Sequence, residues 1–147
     1  MATFQSSLVT PESVLLEEEV QAVILRTDVG DATFMPGHTR LIGAIVPGSV
    51  RFQREDGTEE RAAVHGGFVQ VDGERVVVLA PIAERAGAID VERARRSLEA
   101  AGERIAELVA RSAGSGAEST PADVELAEAE ASRRRAEVRL EVAGAAS

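Results

Sequence analysis

The chain has 147 residues, a formal net charge of -9 and no cysteine. The lack of cysteine excludes a disulfide framework and a thiolate metal site, and two histidines, His38 and His65, are too few for a histidine-rich one. The acidic balance opposes nucleic-acid binding, which needs a basic footprint. All 16 basic residues are Arg, and acids outnumber them on both sides of residue 90.

Aromatic residues make up only 3% of the chain, so the core must rest on Val, Leu, Ile and Ala. No apolar run approaches the ~20 residues of a membrane-spanning helix. The N-terminal MATFQSSLVTPE lacks the basic and long apolar regions of a signal peptide. A soluble, cytoplasmic protein is expected.

In chain order, Phe4, Ser6 and Leu8 share one face of a strand over residues 3–9, which Thr10-Pro11-Glu12 turns. Residues 14–16 read as a short strand. A strand over 20–27 puts Val20, Ala22 and Ile24 on one face and Val23 and Leu25 on the other, so both faces are expected to be covered. Asp28-Val29-Gly30-Asp31 signals a turn. Met35-Pro36-Gly37-His38 precedes an apolar segment at 41–46, closed by Pro47-Gly48. Val50 and Phe52 alternate with Arg51 and Gln53, as in a half-buried strand. Asp56-Gly57 predicts a type I′ hairpin turn, with positive φ at both central residues, and residues 59–64 return. His65-Gly66-Gly67 breaks the run, 68–71 resumes it, Asp72-Gly73 turns again, and 75–80 is the last long strand before Pro81. Short strands at this spacing predict an all-β sandwich or barrel for residues 1–88. The absence of a βαβ rhythm opposes a doubly wound nucleotide fold.

Ile89-Asp90-Val91-Glu92-Arg93-Ala94 opens the second part, an antiparallel helical hairpin over 89–147. Asp90 suits a helix N-cap, because its carboxylate can accept from the free N–H groups of the first turn, and its charge favours the positive end of the helix dipole. Val91, Ala94, Leu98, Ala101, Ile105 and Leu108 form a narrow apolar seam along a helix of about 90–111. Glu92 and Arg96 are spaced for a surface ion pair. A Gly/Ser-containing linker over 112–120 ends with Thr120 as N-cap and Pro121 at the first position of a second helix, 121–142. There the expected stripe is Ala127, Ala131 and Val138, flanked by Leu126 and Leu140. Alanine buries little area, at ~25 cal/mol per Å², so a marginally docked hairpin is expected.

Catalysis has little support. Neither histidine lies in a GxSxG context, no cysteine nucleophile exists, and there is no GxxxxGK[ST] loop. Carboxylates are plentiful but spaced as solvated helix surface. Arg133, Arg134, Arg135 and Arg139 form the one concentrated basic patch. Such a run reads as a solvated face, or as a surface that grips an acidic helix or a polyphosphate bidentately.

Six motifs occur in order: Met35-Pro36-Gly37-His38, Pro47-Gly48, Gly66-Gly67-Phe68, Leu79-Ala80, Ala83-Glu84 and Ile89-Asp90-x-x-Arg93-Ala94. With a β-sandwich followed by a helical hairpin, this order resembles the epsilon subunit of bacterial F-type ATP synthases. The resemblance implies a non-catalytic rotor subunit of the central stalk of a proton-translocating synthase. It would couple the gamma subunit to the c ring, peripherally at the cytoplasmic face of the cell membrane. Asp31 would lie toward the c ring and His38 near the gamma contact. Arg133, Arg134, Arg135 and Arg139 would oppose an acidic motif on a beta subunit when the hairpin extends, inhibiting hydrolysis. The resemblance also implies a regulatory ATP site at Asp90 and Arg93, completed by Glu84, Arg135 and Arg139, with no cofactor or metal required. The alternative reading is a free-standing ATP-sensing module whose hairpin closes on nucleotide.

Overall fold

The computed structural model describes residues 2–112 and 121–145. Ten strands come first: β1 (Phe4–Val9), β2 (Val14–Val20), β3 (Ala22–Thr27), β4 (Gly30–Phe34), β5 (Leu41–Ile45), β6 (Gly48–Gln53), β7 (Glu59–Val64), β8 (Gly67–Val71), β9 (Arg75–Leu79) and β10 (Ala83–Arg85). A short 3-10 turn, Ala86–Ala88, leads into α1 (Val91–Ser112) and α2 (Pro121–Ala145).

The strands form one hydrogen-bonded path, β10-β7-β6-β3-β5-β8-β9-β1-β2, with β4 paired to β3. The β3–β5 link is a single pair, Thr27↔Ile45. At this point the path folds over into two layers. One layer is β10-β7-β6-β3-β4 and the other β5-β8-β9-β1-β2. Alternate side chains of both point inward, so Phe4, Leu8, Val23, Leu25, Phe34, Val50, Phe52, Val69, Val76 and Val78 meet in a single core. All pairings are antiparallel except β1 with β9. Gly67, across from Ile45, allows β8 to lie this close to β9: its φ is +122°, and a Cβ there would stand 2.1 Å from the Leu79 carbonyl oxygen.

Several local expectations are corrected. Val20 ends β2 rather than opening β3; the chain reverses at Gln21, whose N–H bonds the Gln53 carbonyl at 2.8 Å. Residues 30–34 form β4, because Thr27 closes a tight turn by donating from Oγ1 to Gly30 O at 2.8 Å. The Asp56-Gly57 turn is not type I′. Gly57 has φ +88°, but no non-glycine among the described residues has positive φ. Asp56 instead uses its carboxylate as the local acceptor, taking the Thr58 N–H at 2.9 Å and the Thr58 hydroxyl at 2.6 Å. These bonds hold Asp56 below its usual pKa. The Asp72-Gly73 hairpin is likewise held by its Asp, with Oδ1 accepting from Glu74 N–H at 2.8 Å.

The α1 seam is buried at Ala94, Ala101 and Leu108, seven residues apart, as the periodicity predicts. Glu92 pairs with Arg95 at 2.9 Å rather than with Arg96. In α2 the buried stripe is Ala129, Ala136, Val138 and Val142, whereas Ala127 and Ala131 are exposed. An alanine-rich helix offers several near-equivalent stripes, and Val142 with Val138 decides among them by burying more area. Ser112, expected to open the linker, instead ends α1, and residues 113–120, Thr120 among them, lie outside the described residues.

Candidate functional site

The hairpin meets the sandwich over β7, β10 and the 3-10 turn. Ala63 of β7 packs on Val138 and Val142 of α2, with Ala86 and Ile89 beside them. β10 is antiparallel to β7, with Glu84 opposite Ala63. Seating Val138 against Ala63 therefore brings the next residue, Arg139, to Glu84. Arg139 Nε donates to Glu84 Oε1 in a short, half-buried ion pair.

This pair forms one wall of a cleft of about 370 Å³. The opposite wall is the start of α1: Asp90, Arg93, Ala94 and Ser97. Glu84, Asp90, Arg93 and Arg139 therefore converge, although 55 positions separate Glu84 from Arg139. Arg135 does not line the cleft; it reaches back along α2 to Glu128 at 3.3 Å. Asp90 caps α1, with Oδ1 accepting the Arg93 N–H at 3.1 Å and its carbonyl accepting the Ala94 N–H at 3.0 Å. The cleft thus offers two guanidinium groups and two carboxylates on rigid helix and strand positions. That set suits a ligand carrying both amino donors and phosphate acceptors.

His65 is a residue that sequence reasoning read only as a turn. It follows β7 and its N–H bonds the Ile82 carbonyl at 3.1 Å, but its side chain is only 3% exposed. Neither ring nitrogen has a hydrogen-bond partner among the described residues. Nε2 stands 4.0 Å from Glu84 Oε1, beyond hydrogen-bond range. Burial, with Arg139 and Arg135 nearby, lowers its pKa to about 4 against the opposing pull of Glu84. No local signal marked it, because its cover comes from elements far along the chain.

All four arginines of the basic run are engaged. Arg133 pairs with Glu137 at 3.4 Å, and Arg135 with Glu128. Arg134 donates to the Pro47 carbonyl at 3.3 Å, and Arg139 holds Glu84. The run is therefore not simply a solvated face: two of its members tie the helix to the sandwich.

Asp31 is on β4, opposite Arg26, whose Nε donates to it at 3.0 Å. Nearby, Val29 at the hairpin tip is 91% exposed. His38 closes the turn after β4, with its N–H on the Met35 carbonyl and its ring edge-on to Phe34 at 5.1 Å. The neighbouring Gly37 N–H is tied to the Gly73 carbonyl of the β8–β9 hairpin at 3.0 Å. The outer face of β5-β8-β9 carries an apolar patch, interrupted by Gln70 across from Ile42. Ala44, Phe68 and Leu79 lie directly across from one another, and Ile42 follows on the same face of β5. Phe68 and Ile42 are 57% and 72% exposed. Sequence alternation could have marked this face, since Phe68 is out of phase with the buried Val69 and Val71.

Among the described residues, no group of three or more His, Asp or Glu is placed to hold a metal ion, and no helix is long and apolar enough to cross a membrane.

Comparison with known proteins agrees with this architecture. Residues 3–86 match the family described as ATP synthase, Delta/Epsilon chain, beta-sandwich domain. Residues 88–144 match ATP synthase, Delta/Epsilon chain, long alpha-helix domain. The ATP synthase epsilon chain of Moorella thermoacetica is 38% identical over 99% of both chains. That of Desulforudis audaxviator is 47% identical over 71% of this chain and 76% of its own. Among solved structures, a chain of the Euglena gracilis mitochondrial ATP synthase (OSCP/F1/c-ring) superposes with a TM-score of 0.76. It is 23% identical and covers 97% of this chain and 82% of its own, which supports the fold alone. With both halves matched and a full-length relative at this identity, the chain belongs to the delta/epsilon family of ATP synthase subunits, as an epsilon chain.

Proposed function

We propose that this chain is a non-catalytic central-stalk subunit that joins a gamma subunit to the c ring and restrains ATP hydrolysis through a detachable hairpin. The observation that carries this reading is how α2 is held. Its contact with the sandwich rests on Ala63, Val138 and Val142, plus the Arg134 and Arg139 tethers. Two buried valines contribute about 1.5–3 kcal/mol each, so docking is modest. Release would free Arg134 and Arg139 to join Arg133 and Arg135 on one helix, ready for an acidic segment of a beta subunit. The exposed Ile42, Ala44, Phe68 and Leu79 face, with His38 near its rim, is the surface for gamma; Asp31 and Val29 on the β3–β4 hairpin face the c ring. Assembly this way places the chain at the cytoplasmic face of the membrane.

Reconstitution with the partner subunits tests it. Phe68→Glu should weaken gamma binding at least tenfold, while deletion of residues 113–147 should raise hydrolysis without loss of assembly. Unchanged gamma affinity in the first variant, or unchanged hydrolysis in the second, sinks the corresponding half of the proposal.

A second reading, ATP sensing, is favoured by the convergence of Glu84, Asp90, Arg93 and Arg139 on one cleft. Nucleotide there would bridge α1, α2 and β10 and hold the hairpin folded. An ATP titration of the isolated chain should saturate in the micromolar-to-millimolar range and be lost in Arg93→Ala. Absence of binding up to several millimolar leaves Asp90 as a helix cap alone.

A further inference from the structure

His65 sits beside the seam between sandwich and hairpin, within 4.0 Å of Glu84 and within electrostatic reach of Arg139 and Arg135 of α2. It directly follows β7, whose Ala63 packs on Val138 and Val142 of α2, and its side chain is 3% exposed. Its imidazole is buried, and among the described residues neither nitrogen has a hydrogen-bond partner. A neutral ring can tolerate this; an imidazolium, with two N–H donors and a charge, cannot.

The groups that face it make the asymmetry sharper. From α2 come the guanidinium groups of Arg139 and Arg135; from β10 comes the carboxylate of Glu84. Glu84 is the one attractive group, but its Oε1 already accepts from Arg139 and lies 4.0 Å from Nε2. Protonation would therefore put another positive charge beside Arg139, which already holds Glu84, and near Arg135, whose own carboxylate partner is Glu128. Undocking α2 removes both arginines and the cover together.

We propose that His65 is a proton-operated latch on the hairpin: α2 stays seated while the imidazole is neutral and is released when the ring takes up a proton. This rests on the reading that the hairpin leaves the sandwich as a unit. The sign follows from linkage. The docked ring titrates near 4 and a solvated one near 6.5, so the docked form binds fewer protons between those values. Docking is strongest above pH 6.5 and weakens as pH falls toward 4. Between pH 7.5 and 5.0 the ratio of undocked to docked chains should rise roughly thirty-fold. Over that interval most solvated carboxylates remain ionised.

The 147-residue chain has no cysteine, so spin labels can be placed at Glu12→Cys on the sandwich and Glu130→Cys on α2. Interlabel distances are recorded from pH 7.5 to 5.0 for this chain, His65→Phe, His65→Gln and Arg139→Ala. The expected result is a growing long-distance population in the parent and a docked fraction independent of pH in both His65 variants. Two histidine variants are used so that misfolding of one does not decide the outcome. A parent that does not respond to pH while Arg139→Ala undocks overturns the latch but leaves the detachable hairpin standing. A hairpin that stays docked in every variant, Arg139→Ala included, overturns both. Retention of the parent's pH response in the His65 variants also overturns the latch.

Discussion

Asp90 shows how one carboxylate can be read two ways, and the two are separable. Its Oδ1 accepts the Arg93 N–H, which is a capping bond, and the residue also lines the cleft. Asp90→Ala should cost about 1 kcal/mol of stability by removing the cap. Asp90→Asn keeps an oxygen acceptor and should cost only a few tenths, while removing the negative charge offered to a ligand. Chemical denaturation of the isolated chain checks the stabilities. If Asn is as destabilising as Ala, the charge rather than the hydrogen bond anchors the helix. At the same scale, Arg139 and Glu84 form a half-buried pair. Such pairs gain more than exposed ones but less than full burial would suggest, because desolvation opposes attraction.

At the level of elements, the hairpin is held to itself and to the sandwich by different residues. The α1 seam buries Ala94, Ala101 and Leu108. The α2 contact with the sandwich uses Val138 and Val142. Val142→Ala should therefore weaken docking by about 1.5–2.5 kcal/mol, two methyl groups' worth of burial, while leaving the thermal unfolding of the sandwich nearly unchanged. Amide hydrogen exchange across β7 and β10, compared with β8 and β9, would read this. Equal loss of protection in all four strands would mean that hairpin and sandwich unfold together. The element that the alternation missed, β4, exists because Thr27 and Gly30 close its turn. Residues 30–34 themselves carry only Ala32 and Phe34 as inward positions, too short a pattern to register.

Across the whole molecule, the sandwich core draws only on residues before the hairpin, from Phe4 to Ala83. A chain ending at Ala88 should therefore fold and unfold cooperatively. His65 in that shortened chain loses Arg135, Arg139 and its cover. Its ring should titrate near the ordinary 6.5 instead of about 4. The sign is that of a lowered native pKa: the full chain gains stability from this group above pH 6.5 and loses it as pH falls from 6.5 toward 4. Histidine ring chemical shifts in the two chains measure it; identical titration curves would show that α2 does not cover the ring.

Strand alternation, glycine turns and the α1 seam determined the division into sandwich and hairpin, because each is set within a few neighbouring residues. The ordered motifs carried the resemblance to the epsilon family. Local chemistry also identified Asp90 as a cap. Tertiary structure alone decided which alanine stripe of α2 is buried, since a uniformly small-residue helix has no strongly preferred face until Val138 and Val142 meet Ala63. It also decided that Arg139 closes on Glu84 while Arg135 turns away. The burial of His65 was decided in the same way, because a side chain's solvent exposure depends on what packs over it, here a helix more than fifty residues later in the chain.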